Sequence, residues 1–170
     1  MFVAPEDDPR GQEGYRGERE VLAGYLADYR KTLELKCAGL DAEQLARRSV
    51  EPSTMSLLGL IRHLAKVEQY WFRIHMAGED VPRLFRSGED RDEDFNGAVG
   101  DPEVVRQAWD LWRAEVAFAE QYVAEAPDVG FTGKQGDELR DIMVHMIEEY
   151  ARHMGHADFL RERIDGRIGQ

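Results

Sequence analysis

Apolar side chains recur every three or four residues in four separate segments of this 170-residue chain. This spacing places the apolar side chains on one side of an α-helix. Each segment begins at a polar or acidic residue and ends at a glycine or proline, as helices commonly do. The predicted starts are near Glu18, at Ser53 or Thr54, at Asp101 and near Asp137, and the predicted ends are Gly39, Gly78, Pro127 and Gly166. With no convincing alternating strand, the pattern predicts an all-α protein, a four-helix bundle.

The chain length and the distribution of its polar residues predict one folded domain. At 170 residues and 42% hydrophobic content, the chain can fill one core and is short for two. Residues 1–16 are rich in proline, glycine and charge, so we expect a mobile N-terminal arm ahead of a domain over residues 17–170. Residues 79–100 predict a long loop between helices 2 and 3, either a crossover or a loop that covers a site.

Net charge and cysteine content exclude several classes of function. A formal charge of -12 argues against DNA, RNA and anionic membrane surfaces as partners. The single cysteine, Cys37, excludes an internal disulfide or a cysteine-based zinc cluster, and its place on an apolar stripe predicts a buried thiol. A metal would therefore be held by histidines and carboxylates. No secretory signal or long apolar run is visible, which predicts a cytoplasmic protein.

The last predicted helix carries four possible metal ligands on one side. At about 100° per residue, they fall within an arc of about 80° beside the apolar face. These residues are His145, Glu149, His153 and His156. A carboxylate in such a place needs a partner or a cation. His63 projects along the apolar side of the second helix, so it can join the last helix in a three-ligand site with open positions.

The spacing alone leaves a plainer interpretation open. A histidine on an apolar face is commonly a core or boundary residue, and Glu with His four residues later is common on exposed helices. The aromatic residues and the remaining histidine also fit ordinary packing positions. We interpret Tyr70, Trp71, Trp109 and Trp112 as core residues, His75 as structural, and the acidic run 89–94 as a solvated loop.

Two stretches closely resemble a known superfamily. They are SLLGLIRHLAKVEQYWF (56–72) and HMIEEYARHMGHADFLRERIDG (145–166). Both are similar to the DinB-like (DinB/YfiT-like) superfamily and, within it, to the actinobacterial group called mini-circle proteins. The resemblance extends from about Glu18 to Gly169. It implies a bundle of up-down-down-up type and a divalent metal held by His63, Glu149 and His153, a set similar to that of the mycothiol-dependent maleylpyruvate isomerases.

The resemblance also implies thiol-dependent chemistry on a small electrophile. The thiol would be mycothiol or a similar small molecule, activated by a divalent metal that lowers its pKa. We expect His156 to relay a proton and Arg161 to neutralise an anionic substrate group. Zinc is the first choice of metal, with nickel, iron and manganese as alternatives, and a homodimer is expected. The alternatives are a metal-dependent hydrolase and a non-catalytic, metal-stabilised binding or stress-response protein.

Overall fold

The computed structural model describes residues 3–11, 14–88 and 90–169, and within these ranges it is all-helical. Its helices are α1 (Glu18–Cys37), α2 (Ala42–Ala46), α3 (Leu57–Glu68, continued by a π-helical segment, Gln69–Met76), α4 (Glu93–Asn96), α5 (Pro102–Glu125) and α6 (Leu139–Asp165). The described ranges contain no β-strand beyond one isolated bridge, between Thr132 and Glu138. In the same ranges, no helix is long and apolar enough to span a membrane. The predicted all-α fold is confirmed. The short helices α2 and α4 were not predicted, because four or five residues are too few to show a helical spacing of apolar side chains.

Local capping sets the ends of the long helices. The Ser56 side chain accepts a hydrogen bond from the backbone N–H of Gly59 at 3.0 Å, so α3 begins after Ser56. The predicted start at Ser53 or Thr54 was therefore wrong, and the Ser53 hydroxyl instead accepts from the N–H of Met55. At the other end of the chain, α6 ends as predicted at Gly166, whose φ of 79° suits glycine.

The first and last long helices of the chain, α1 and α6, run parallel. Near their starts, Arg140 of α6 pairs with Glu18 of α1 at 2.8 Å. Near their ends, the Arg161 guanidinium of α6 donates to the backbone carbonyls of Lys36 and Ala38. Contacts at matching ends require the same direction for both helices, as the resemblance predicted for the first and last helix.

The helix α3 runs antiparallel to α6. His63 contacts Glu149, and two turns later along α3 the Trp71 ring contacts the His145 ring at 4.6 Å between centroids. As the residue number rises on α3, it falls on α6. This arrangement places one face of α3 against the side of α6 that carries the predicted ligands.

The helix α5 runs parallel to α3 and completes the bundle. Arg73, in the π-helical segment, pairs with Glu115 at 2.9 Å, and the Tyr122 hydroxyl donates to the carbonyl of Met76 at 3.2 Å. Residue numbers therefore rise together on the two helices. The helix α1 therefore runs up, α3 and α5 run down, and α6 runs up. The contacts confirm the predicted up-down-down-up order.

A network of buried polar groups ties α1, α3, α5 and α6 together. Glu68 is fully buried and accepts two hydrogen bonds from the Arg30 guanidinium, both at 2.8 Å. The Tyr150 hydroxyl donates to the same carboxylate at 2.8 Å and accepts from the Trp112 indole at 2.9 Å. Buried charges need such complete pairing, because removing one partner leaves the other uncompensated. The network fixes Tyr150, the neighbour of Glu149, against α3; Trp112 is buried as predicted.

The long connection between α3 and α5 is docked on α3. The Arg62 guanidinium donates to the backbone carbonyls of Glu93 and Asp94 at 2.9 and 2.8 Å, and it stacks over the Phe85 ring at 3.9 Å. Arg62 is consequently buried, although it lies opposite the apolar side of α3. Because α3 and α5 run parallel, this connection is a crossover, one of the two predicted alternatives, and part of it is docked on α3.

The N-terminal segment contacts α1 through Asp28. The backbone N–H of Gly11 and the Tyr15 hydroxyl both donate to this carboxylate, at 2.9 and 2.8 Å. Residues 1, 2, 12 and 13 of the predicted arm lie outside the described residues, as do 89 and 170. The mobility of the arm stays a prediction.

Candidate metal centre

Three predicted ligands, one on α3 and two on α6, come together at the interface of these helices. One potential ligand atom from each of His63, Glu149 and His153 lies within 4.8 Å of the other two. Oε1 of Glu149 is 3.3 Å from Nε2 of His63 and 3.6 Å from Nε2 of His153. Because Glu149 and His153 are four residues apart, they lie one above the other on α6. The carboxylate is thus held between two imidazoles.

These separations fit a small divalent ion. Tetrahedral coordination with bonds of about 2.0 to 2.2 Å places neighbouring ligand atoms about 3.3 to 3.6 Å apart. The distances from Glu149 to His63 and to His153 match this edge length. Two imidazole nitrogens and one carboxylate oxygen form a donor set that suits zinc and several other first-row metals. Three protein ligands also leave at least one position for water or substrate, so the arrangement can support catalysis.

Asp94 orients His63 from the side away from Glu149. Its Oδ2 lies 2.8 Å from Nδ1 of His63 and accepts a hydrogen bond from Nζ of Lys66 at 2.7 Å. A carboxylate at Nδ1 favours the tautomer that carries its proton there, which leaves the Nε2 lone pair facing Glu149. This is the usual outer partner of a metal-binding histidine. The sequence analysis did not predict this contact of Asp94 with a candidate ligand.

The prediction of a solvated acidic run was wrong at Asp94, which is 1% exposed. The short helix α4 turns this side chain inward, and Lys66 and His63 compensate its charge. Phe95 was a usable signal, because an aromatic residue in a polar loop indicates a buried anchor; its ring stacks on the His63 ring at 5.2 Å. The first residue of the run, Glu89, lies outside the described residues.

His156 contacts His153 but not the carboxylate. The two Nδ1 atoms are 3.3 Å apart, so one ring donates to the other, and Nε2 of His153 stays directed to Glu149. Burial lowers the pKa of His156, and the charges of His153 and Arg152 lower it further. A neutral His156 can accept the Nδ1 proton of His153 and hold that ring in position. Its predicted part in proton relay stays a prediction.

Electrostatics in the centre favour a positive charge between the imidazoles. The neighbouring imidazoles of His153 and then His63 hold the pKa of Glu149 far below its usual value. Burial lowers the pKa of His63, but its contacts with Asp94 and Glu149 outweigh burial and the net pKa is raised. For Asp94, burial raises the pKa, and the hydrogen bonds from His63 and Lys66 outweigh it. A proton on His63 or a metal ion can supply the positive charge that both carboxylates stabilise.

Arg161 lies elsewhere on α6 and is engaged in packing. It is 1% exposed, donates to the carbonyls of Lys36 and Ala38, and pairs with Asp165 at 2.8 Å. These contacts join the ends of α1 and α6, and the structure does not bring Arg161 together with the three ligands. They favour a structural role, and the predicted contact with a substrate anion stays a prediction.

The other two histidines, His75 and His145, line a separate cleft between the π-helical segment and the start of α6. Nε2 of His75 is 2.6 Å from the Asp137 carboxylate, which ties the π-helical segment to the start of α6 and agrees with a structural histidine. The His145 ring packs on Trp71. Trp71 and Trp109 are partly buried and pack against the core, as predicted, but the predicted core position of Tyr70 is wrong; Tyr70 and Trp71 both line a surface cleft.

Cys37 cannot serve as an exposed nucleophile in this fold. Its side chain is buried, and burial raises the pKa of the thiol to about 12. The prediction of a buried, unreactive thiol agrees with both observations.

Comparisons with known proteins identify the family. The sequence model of the family described as Mycothiol-S-transferase matches residues 21–166. Among solved structures, an Enterococcus faecalis protein described as a conserved protein superposes on this chain with a TM-score of 0.61 at 15% identity. The superposition covers 86% of this chain and 96% of that chain. At this identity the likeness shows the fold alone, and no curated protein matches the chain. The resemblance to the DinB-like superfamily is confirmed: the chain belongs to the mycothiol S-transferase family, which has the DinB-like helical fold.

Proposed function

We propose that this protein is a divalent-metal-dependent enzyme that uses mycothiol as cosubstrate. It would either conjugate mycothiol through its sulfur to a small electrophilic molecule or isomerise that molecule. The observation that carries the proposal is Glu149, held between the imidazoles of His63 and His153 in a member of the mycothiol S-transferase family. These three residues would be the metal ligands. Two histidines and one glutamate form a known donor set of catalytic zinc sites, so zinc is the proposed metal.

The residues around the ligands support such a centre. Asp94 and His156 would hold the rings of His63 and His153, each through its Nδ1 atom, so that both Nε2 atoms face Glu149. A bound divalent cation would lower the pKa of a thiol beside it, so that the thiol is present as thiolate at neutral pH. Since the ligands come from two packed helices, their positions are set by the bundle core.

The nucleophile would come from the cosubstrate. Cys37, the chain's single cysteine, is buried. We propose that the proton of the incoming thiol passes to solvent by way of the half-buried His156, next to His153. The sulfur then forms a bond to the electrophilic carbon. In a transfer the leaving group departs with the electron pair of its bond, and in an isomerisation the thiol leaves again after rotation.

The test is mycothiol conjugation to a chromogenic chloronitrobenzene, measured by absorbance with zinc-loaded protein. We expect turnover that needs both mycothiol and metal and that Glu149→Gln abolishes. Glu148→Gln is the matched control, because this neighbouring carboxylate is exposed and is absent from the centre. Product formation that survives chelation of the metal, or equal rates in the two variants, would contradict the proposal. Turnover of an ester substrate without any thiol would instead indicate the hydrolase alternative.

Oligomeric state is a separate part of the proposal. We expect a homodimer, as the resemblance implies, and sedimentation measurements on the zinc-loaded protein test it directly.

A further inference from the structure

A cleft of about 200 Å³ lies along α3 and its π-helical continuation, on the side that carries His63. These helical residues line it with Lys66, Val67, Gln69, Tyr70 and Trp71. All of them except Gln69 follow His63 by three, four, seven or eight positions and so share its face. Arg83 and Arg86 of the long loop lie across from them, and a molecule in the cleft would lie one to two helical turns from His63.

The cleft carries positive charge in a protein whose formal charge is -12. Arg83 and Arg86 are exposed, and no carboxylate of the described residues pairs with either. The Arg83 guanidinium instead lies over the Tyr70 ring at 4.8 Å. Lys66 adds a third cation, although Asp94 neutralises it in part. Two arginines without acidic partners, beside two aromatic rings, are suited to a planar anion.

The loop that carries these arginines is fixed by a buried side chain. Gln69 is 5% exposed, its Nε2 donates to the carbonyl of Pro82 at 3.3 Å, and its Oε1 accepts from the N–H of Leu84 at 2.9 Å. These two bonds hold the backbone on both sides of Arg83. The position of Arg83 over the cleft is therefore built into the fold.

The neighbouring cleft has the opposite charge. Trp71 also borders a second cleft, of about 330 Å³, whose lining includes Asp137, Asp141 and Glu148. An anion is repelled there, while it is attracted on the basic side of Trp71. The clefts on the two sides of Trp71 thus differ in charge.

We propose that the basic cleft binds a planar organic anion, an aromatic or conjugated carboxylate borne by the electrophilic substrate. The carboxylate lies against Arg83 and Arg86, and the flat part of the molecule packs on Tyr70 and Trp71. This inference rests on the proposed function, because it assigns the cleft to the electrophile. It names a substrate class and two residues that select it.

The probe is benzoate, titrated calorimetrically into the zinc-loaded protein, with benzamide as the neutral molecule of the same shape. We expect benzoate to bind about tenfold more tightly or better, since each exposed arginine contributes roughly threefold to sixfold through charge. The double variant R83A/R86A removes this preference. The matched control is Arg113→Ala, because Arg113 is also exposed and also lies over an aromatic ring, that of Trp109 at 5.2 Å, on α5.

Three results would overturn the inference. They are equal affinities for benzoate and benzamide, an equal loss in Arg113→Ala and the double variant, and displacement of benzoate by saturating mycothiol, which would assign the cleft to the thiol. The titration is repeated with Glu149→Gln, whose side chain does not line the cleft. Benzoate binding retained in that variant supports the cleft even if conjugation assays disprove the proposed function, so the two failures are distinguishable.

Discussion

Replacing Asp94 is predicted to weaken metal binding while leaving the bundle folded. The Asp94 carboxylate is buried, accepts from Nδ1 of His63 at 2.8 Å, and pairs with Lys66 at 2.7 Å. Its side chain bonds His63 and Lys66, whereas the loop is docked on Arg62 through the Asp94 backbone carbonyl, which a substitution keeps. Its loss therefore acts chiefly on the metal.

The size of the effect follows from these two contacts. Loss of an outer partner of a metal-bound histidine typically costs about 10- to 100-fold in affinity, or about 1.4 to 2.7 kcal/mol. Asp94→Asn keeps an acceptor for His63 but loses the charge, so we expect the lower end of this range. Asp94→Ala loses both and leaves the Lys66 ammonium beside the centre without its carboxylate, so we expect the upper end.

The assay is competition for zinc against a chromophoric chelator at pH 7.5, with the unfolding temperature of the metal-free proteins as a measure of folding. Asp92→Asn is the matched control, an exposed carboxylate two residues away in the same loop. The reasoning is refuted if Asp94→Ala binds zinc as tightly as the unchanged protein, or if Asp92→Asn loses as much affinity as Asp94→Asn.

Three further predictions concern other parts of the structure. In the metal-free protein the pKa of His63 is raised, so protonated His63 stabilises the folded state. This stabilisation is complete below the unfolded pKa of about 6.5 and is lost as the pH rises through the folded pKa. The unfolding temperature should therefore fall between pH 6 and pH 9 in the unchanged protein, and this fall should be absent in His63→Ala. Glu68→Gln leaves Arg30 without its buried charge partner and should cost about 3 to 5 kcal/mol in urea unfolding. Glu120→Gln removes the exposed partner of Arg30 and should cost less than about 1 kcal/mol. Cys37, whose pKa is about 12, should resist a thiol reagent at pH 8 until the protein is unfolded; rapid labelling of the native protein would contradict its burial.

Local patterns were sufficient to predict the long helices and to place four possible ligands on one side of the last helix, and the resemblance selected two of them. Glu149 and His153 are four residues apart on one helix, so their proximity follows from helical geometry alone. Their meeting with His63 depends on α3 lying antiparallel against α6. That arrangement came from the resemblance to a superfamily, since no periodicity specifies which helices pack together.

The residues that surround the centre were harder to predict, because they depend on the path of an irregular loop. The side of α3 opposite its apolar stripe looks solvated in sequence, yet Arg62 on that side is only 5% exposed because it docks the loop. The same docking buries Asp94 beside His63. A polar helix face can therefore bind a loop as well as water, and Phe95 was the visible sign that it does here.

The buried pair of Arg30 and Glu68 was missed for a related reason. Each residue lies on a different helix, 38 positions apart, and each alone looks like an ordinary charged surface residue. Only the assembly of the bundle brings the Arg30 side chain to Glu68, and only their mutual pairing makes burial of both tolerable. Such pairs leave no local pattern.

The most direct test of the central claim is the metal content of the untagged protein after zinc loading and dialysis, compared with His63→Ala and His153→Ala. The control is His145→Ala, which lies on the same helix but packs against Trp71 instead of Glu149. The account predicts about one zinc per chain in the unchanged protein and in the control, as expected for a single three-ligand site, and its loss in the other two variants. Equal metal content in all four proteins, or no zinc in the unchanged protein, would contradict it.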